Sequence, residues 1–161
     1  MLPNLSTQRL VLRERVYDDF EDCRLMDCDP LVTQFIPGPW ANSKEHRLFL
    51  IERIEKSYPT GLGYWVVQAR VSQQFLGWVF LLPHHTSNDK AEIGWRFNRA
   101  SWGQGFATEA ACNVLKYAFD ELKLSSVFAD IHVENTASNR VAEKLGMFWS
   151  NGTGHFIGRQ Y

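Results

Sequence analysis

The chain has 161 residues, 45% of them hydrophobic and 22% charged, with 11 Phe, 6 Trp and 5 Tyr. That is the size and balance of one globular domain with an ample core. A formal net charge of −1 excludes a generally basic surface, so direct nucleic-acid binding is not expected.

The three cysteines form no CxxC pair and no Cys/His group with zinc-ligand spacing, so reduced thiols and no metal are expected. The opening MLPNLSTQRLVLRE has no long apolar run and no basic stretch leading into one. Neither a signal peptide nor a membrane span is expected, and the expected location is the cytoplasm. No repeat, low-complexity tract or linker divides the sequence, so residues 1–161 read as a single domain.

Residues 9–13, RLVLR, predict a first strand. Tyr17-Asp18-Asp19 opens a helix to about Asp27, with acidic residues where the helix dipole favours them. Asp29-Pro30 and the stiff loop Phe35–Trp40, FIPGPW, then break it. Asn42 and Glu45 have capping-box spacing, and Leu48, Ile51 and Ile54 mark one face of a second helix to about Ser57. Residues 64–70 and 75–82 predict a β-hairpin around Ser72-Gln73-Gln74. The polar loop PHHTSNDK leads to a strand at 91–98, with His84 and His85 facing solvent. Apolar or small residues at 107, 110, 111, 114, 115, 118, 119 and 122 then predict an amphipathic helix. A strand at 127–133, a short helix at about 136–145 closed by Gly146, and two strands within 147–161 complete the reading. The order is β-α-α-β-β-β-α-β-α-β-β, an α+β domain.

Residues 101–110, SWGQGFATEA, place Gly103, Gly105 and Ala107 alternately at the mouth of the strongest helix. Glycine weakens a helix, but a glycine-rich entry lets backbone amides at a positive helix end close on an anion. A phosphate or pyrophosphate is the natural ligand; a plain tight turn is the alternative. No lysine follows in the Walker A position, and the sixth residue from Gly103 is Thr108, so neither nucleotide-binding pattern fits.

The strand EIGWRF, the turn WGQGFATEA and the later segment N-x-x-S…EKLGMF resemble the GNAT superfamily of acetyl-CoA-dependent N-acetyltransferases. They are most similar to the subgroup of ribosomal-protein alanine N-acetyltransferases. TQRLVLRE and DP…FIPGPW fit the same subgroup, so the resemblance spans nearly the whole chain. It implies a mixed, mostly antiparallel central sheet flanked by helices. It also implies acetyl transfer from acetyl-CoA to a primary amine, and a monomer or homodimer.

By this resemblance Gly105 and Ala107 match the last two anchors of the pyrophosphate loop Gln/Arg-x-x-Gly-x-Gly/Ala, and Trp102 replaces its Gln or Arg. The cofactor-binding residues it implies are Trp102, Gly103, Gln104, Gly105, Phe106, Ala107 and Thr108, with backbone amides of about 104–108 on the pyrophosphate. It further implies Phe97, whose backbone pairs with the pantetheine arm, and Asn135 and Ser138 near that arm. Ser138 is the candidate proton or hydrogen-bond donor to the leaving thiolate. A plain helix-opening serine is the alternative for Ser138, and a turn asparagine for Asn135.

Strand parity places Glu92, Gly94, Arg96 and Asn98 on one face of residues 91–98, making Glu92 the candidate base, with Gly94 expected to leave a gap for an acceptor. The expected acceptor is a protein or peptide N-terminal α-amine. A small-molecule amine, or a non-catalytic acetyl-CoA sensor on the same fold, is the competing reading. Trp40, Tyr64 and Trp95 are candidate walls of an acceptor pocket beneath Phe35–Trp40. His132 reads as either a core or a site histidine.

Overall fold

A computed structural model describes residues 1–85, 89–151 and 155–159. One eight-stranded sheet organises it: β1 (Leu5–Ser6), β2 (Leu10–Glu14), β3 (Gly63–Ala69), β4 (Phe75–Pro83), β5 (Lys90–Phe97), β6 (Ser126–Ala129), β7 (Phe148–Ser150) and β8 (His155–Arg159). Its order is β1-β2-β3-β4-β5-β6-β8-β7. Every neighbouring pair is antiparallel except β5 and β6.

The four helices are α1 (Phe20–Asp27), α2 (Ser43–Glu55), α3 (Phe106–Asp120) and α4 (Thr136–Lys144). The α+β class, the mostly antiparallel sheet and the flanking helices are as expected. Two short elements were not expected: the two-residue β1, too short to carry a period, and a 3-10 turn at Arg99–Ser101 after β5. Tyr17–Asp19 is a 3-10 turn leading into α1, not part of it.

Two cores lie on opposite faces of the sheet. On one, α3 turns Ala110, Ala111, Val114, Leu115 and Ala118 inward, against Leu12, Trp65, Val79, Leu81, Ile93 and Phe97. The predicted stripe is therefore the packed one, and each large side chain fully buried there contributes about 1.5–3 kcal/mol. On the other, α1 and α2 pack Phe20, Met26 and Leu50 against Tyr64, Val66 and Trp78. Asn42 caps α2 by accepting hydrogen bonds from the amides of Lys44 and Glu45.

The strand expected over 127–133 stops at Ala129. Beyond it the chain turns through Asp130 toward α4, so His132 lies outside the sheet and is exposed. Of the two closing strands, residues 152–154 and 160–161 lie outside the described residues, as do 86–88 of the polar loop.

Candidate active site

The sheet opens at its one parallel pairing among the described residues. β5 pairs with β6 through Lys90↔Ser126, Ala91↔Val127 and Glu92↔Phe128, and no further. β5 continues to Phe97, bonded on its other side to β4 throughout. Along Ile93–Arg96 the edge facing β6 therefore has no strand partner among the described residues, while backbone groups inside a protein require a hydrogen-bond partner. The result is a wedge lined by strand edge.

At the end of β5 the glycine turn begins. Trp102 Nε1 donates to the Phe97 carbonyl at 2.9 Å, fastening the turn to the strand. Gly103 and Gly105 sit at φ +72° and +79°, the left-handed region where other residues are strained. A Cβ on Gly103 would meet nothing within 4 Å, and one on Gly105 only Arg9 Nη2 at 3.5 Å. Backbone conformation, not crowding within the protein, is thus what calls for glycine.

Gly105 is the N-cap of α3, and no side chain caps that end. The first amides, Phe106 to Thr108, are left with no partner inside the helix. This satisfies the geometric requirement for an anion cradle. Arg9 braces the turn: Nη1 donates to the Gln104 carbonyl at 3.0 Å, and the guanidinium lies 4.6 Å from the Phe106 ring centre. Nothing in the sequence flags Arg9, because its partners lie about a hundred residues away.

Glu92 lies half-buried on the α1/α2 face, as parity predicts. Burial, then the nearby Asp130, pushes its carboxyl above the usual carboxylate range, with His155 and His85 pulling the other way. His155 Nδ1 lies 3.4 Å from Asp130, an ion-pair distance without hydrogen-bond geometry. A base tuned upward from the ordinary value is better matched to work near neutrality. The gap expected beside it is filled: a Cβ on Gly94 would come within 2.4 Å of Phe80, whose ring occupies that space. Gly94 admits an aromatic ring, not an acceptor.

Asn135 is the N-cap of α4, and its Oδ1 accepts from the Ser138 amide at 3.2 Å. That separates the roles of the two residues: Asn135 satisfies the helix end, so the Ser138 hydroxyl is not its cap. Asn139, unnoticed in the sequence, donates to the Val133 carbonyl at 3.0 Å, while its buried Oδ1 has no partner among the described residues. α4 packs beside α3, whereas Glu92 projects to the α1/α2 face. The two candidate catalytic residues thus lie on opposite sides of the sheet, and no hydrogen bond joins them among the described residues.

The other aromatic and histidine expectations divide. Trp95 packs with the α3-side core, on the sheet face opposite Tyr64. Tyr64 is buried on the α1/α2 face, and Trp40 lies over Arg96 at 5.0 Å. Phe35 stacks on His132 at 5.2 Å, linking the α1–α2 loop to the segment after β6. His84 is not simply solvent-facing: its ring is half-buried and stacks 4.5 Å from Phe128, and burial lowers its pKa. Among the described residues, no helix is long and apolar enough to cross a membrane and no group suits a metal ion. The three cysteines are free, and burial pushes the Cys23 thiol up to about 12.

Residues 9–148 match the family model described as "Acetyltransferase (GNAT) domain". Among curated proteins, the chain is 40% identical over 100 residues to the uncharacterized protein YkkB of Bacillus subtilis, covering 62% of this chain and 57% of that one. It is 31% identical over 155 residues to the FsC-acetyl coenzyme A-N(2)-transacetylase of Aspergillus fumigatus, covering 90% of this chain and 65% of that protein. The chain therefore spans less than two thirds of either relative's length. A GNAT-family acetyltransferase structure from Bacillus anthracis superposes with a TM-score of 0.82 at 26% identity, covering 98% of both chains. The chain thus belongs to the GNAT acetyltransferase family.

Proposed function

We propose that the domain acetylates the α-amine of a protein or peptide N-terminus by direct attack on the thioester of acetyl-CoA. One observation carries the site assignment: β5 and β6 part immediately after Glu92, and the unpaired strand edge leads to the uncapped end of α3. In this reading the amides from Gln104 to Thr108, with Trp102 and Gly103 shaping the turn, hold the pyrophosphate. The β5 edge up to Phe97 pairs with the pantetheine amides, and Asn135 sets the loop beside them.

The chemistry then divides between the two sides of the wedge. Glu92 takes a proton from the acceptor nitrogen, directly or through water, as that nitrogen bonds to the acetyl carbonyl carbon. The carbon–sulfur bond breaks, and the Ser138 hydroxyl donates to the departing sulfur, which leaves as a thiol after proton uptake. A thiol pKa of about 8.5 makes this assistance modest. An α-amine with pKa near 8 is roughly a tenth neutral at pH 7, whereas a lysine near 10.4 is neutral to well under a thousandth. A single half-buried carboxylate is therefore matched to an α-amine.

The second reading, a small-molecule amine, is favoured by the name of the Aspergillus fumigatus relative. Calorimetric titration with acetyl-CoA, ATP and NADH is the first test, with micromolar binding of acetyl-CoA alone expected. Turnover on a peptide library against a panel of small amines then chooses the acceptor. Ser138→Ala is expected to lower kcat about tenfold or more while the protein stays folded. Unchanged turnover in that variant removes Ser138 from the mechanism, and binding without turnover of any amine supports a sensor.

A further inference from the structure

A second cleft, of about 250 Å³, opens on the α1/α2 face where β2 and β3 meet the end of α2. Arg15, Arg53, Lys56, Tyr58 and Tyr64 line it, with Glu14 at its edge. Arg15 is only 7% exposed. Its guanidinium carbon lies over the Tyr64 ring, 3.8 Å from the ring centre, and its Nη2 donates to the Arg53 carbonyl at 3.1 Å. Arg53 lies over Phe49 at 3.5 Å and Lys56 lies 5.7 Å from the centre of the Tyr58 ring. Among the described residues, none of these three cations forms an ion pair with a carboxylate. Glu14, the acid at the edge, is drawn instead to the amino terminus at 4.0 Å.

A buried arginine without a counter-charge is costly, and three cations converging on one small cleft repel one another. An anion in the cleft relieves both. The aromatic backing exposes guanidinium edges suited to planar or tetrahedral oxyanions. The volume lies below that of a drug-sized ligand pocket and suits a small group. We infer that this cleft binds a carboxylate or phosphate group, distinct from the pyrophosphate at the turn before α3.

The cleft shares a face with Glu92. Tyr64, Phe80 and Gly94 stand opposite one another on β3, β4 and β5, so the cleft wall lies two strands, roughly 10 Å, from the edge of the wedge. Two sources of anion fit: a remote acidic group of the amine acceptor, or a separate small anion. Only the first rests on the acetyl-transfer reading.

The test is backbone amide NMR of the coenzyme A-saturated protein, titrated with inorganic phosphate and, separately, citrate. Saturable shifts confined to Arg15, residues 53–58 and Tyr64 are expected, with affinity about tenfold weaker in Arg53→Gln and Lys56→Gln. These variants are chosen because Arg15 also ties β2 to α2. Shifts that are absent, scattered over the surface, or unaltered in both variants overturn the inference. Saturation with coenzyme A is monitored in the same spectra at residues 104–108, so failure there is read separately from failure of the cleft.

Acceptor amines with and without a remote carboxylate then distinguish the sources. A several-fold loss of preference for the acidic acceptor in Lys56→Gln identifies the acceptor's own anion. Phosphate binding with unchanged preference identifies a separate small anion.

Discussion

Arg9 and Glu109 stand 100 residues apart in the chain and meet at 2.6 Å, locking the residue before β2 to the first turn of α3. The contact fixes the helix end whose amides point at the proposed pyrophosphate. Glu109 also accepts from Thr7, while Arg9 reaches back to the Gln104 carbonyl. The pair therefore sets the shape of the turn, not merely its charge.

Arg9→Ala should raise KM for acetyl-CoA more than it lowers kcat, by roughly two- to fivefold, since a half-exposed ion pair is worth at most about 1 kcal/mol. Steady-state kinetics at varied acetyl-CoA check this; equal changes in both constants argue against a role in the turn. Although burial works to raise the Glu109 pKa, hydrogen bonds from Thr7 and Arg9 hold its carboxyl below the usual range. A depressed acid adds stability above its unfolded pKa and loses it as pH falls through the folded value. Glu109→Gln should accordingly flatten part of the loss of stability on acidification below about pH 4.3.

Substitutions at the two turn glycines separate conformation from contact. With φ positive at both and little within reach of an added Cβ, Gly103→Ala should destabilise by about 1 kcal/mol through backbone strain alone. Gly103→Asn should cost less, because asparagine tolerates the left-handed region. Denaturant midpoints of the two variants test the order. If alanine is the milder change, backbone conformation does not explain the glycine.

Legibility in the sequence followed the range of each signal. The α3 stripe from Ala110 to Ala118, the Asn42 cap and the Gly103/Gly105 turn are local patterns, and each folds as its spacing requires. Parity likewise gave the face of Glu92. What was not legible depends on contacts across the sheet. Phe80 fills the space above Gly94, from a strand whose register the sequence does not specify. The shortening of β6 at Ala129 follows from the chain turning toward α4, which apolar residues such as Ile131 conceal. Arg9 and the cations of the second cleft were invisible for the same reason: ordinary arginines acquire meaning only from remote neighbours.

Asp27 holds the α1/α2 face together from beneath. It is 1% exposed and accepts from Arg96 Nη1 at 2.6 Å, while its other oxygen lies 3.2 Å from His46 Nε2. Arg96 in turn underlies Trp40 and so the loop from Phe35 to Trp40. Asp27→Ala leaves the buried Arg96 without its counter-charge and should cost about 3–5 kcal/mol. Chemical denaturation measures it. A loss within the ±0.5 kcal/mol of an ordinary surface change would mean that Arg96 finds another partner.

Glu92 gives the sharpest test, because its environment makes two predictions of opposite sign. Burial first, then Asp130, raises its pKa in the folded protein. Between the unfolded and folded values the native state holds the extra proton, so this group's contribution to stability falls as pH rises through that window. Glu92→Gln should therefore make the protein more stable at neutral pH while lowering kcat. As the base, Glu92 must be ionised, so wild-type kcat/KM should fall as pH drops through its raised pKa. Asp130→Asn removes one cause of the rise and should move that acid limb to lower pH. Thermal unfolding and pH–rate profiles of wild type, Glu92→Gln and Asp130→Asn decide the matter. A Glu92→Gln enzyme with full activity would assign proton removal to water or to another group. An acid limb unmoved by Asp130→Asn would show that a different residue titrates there.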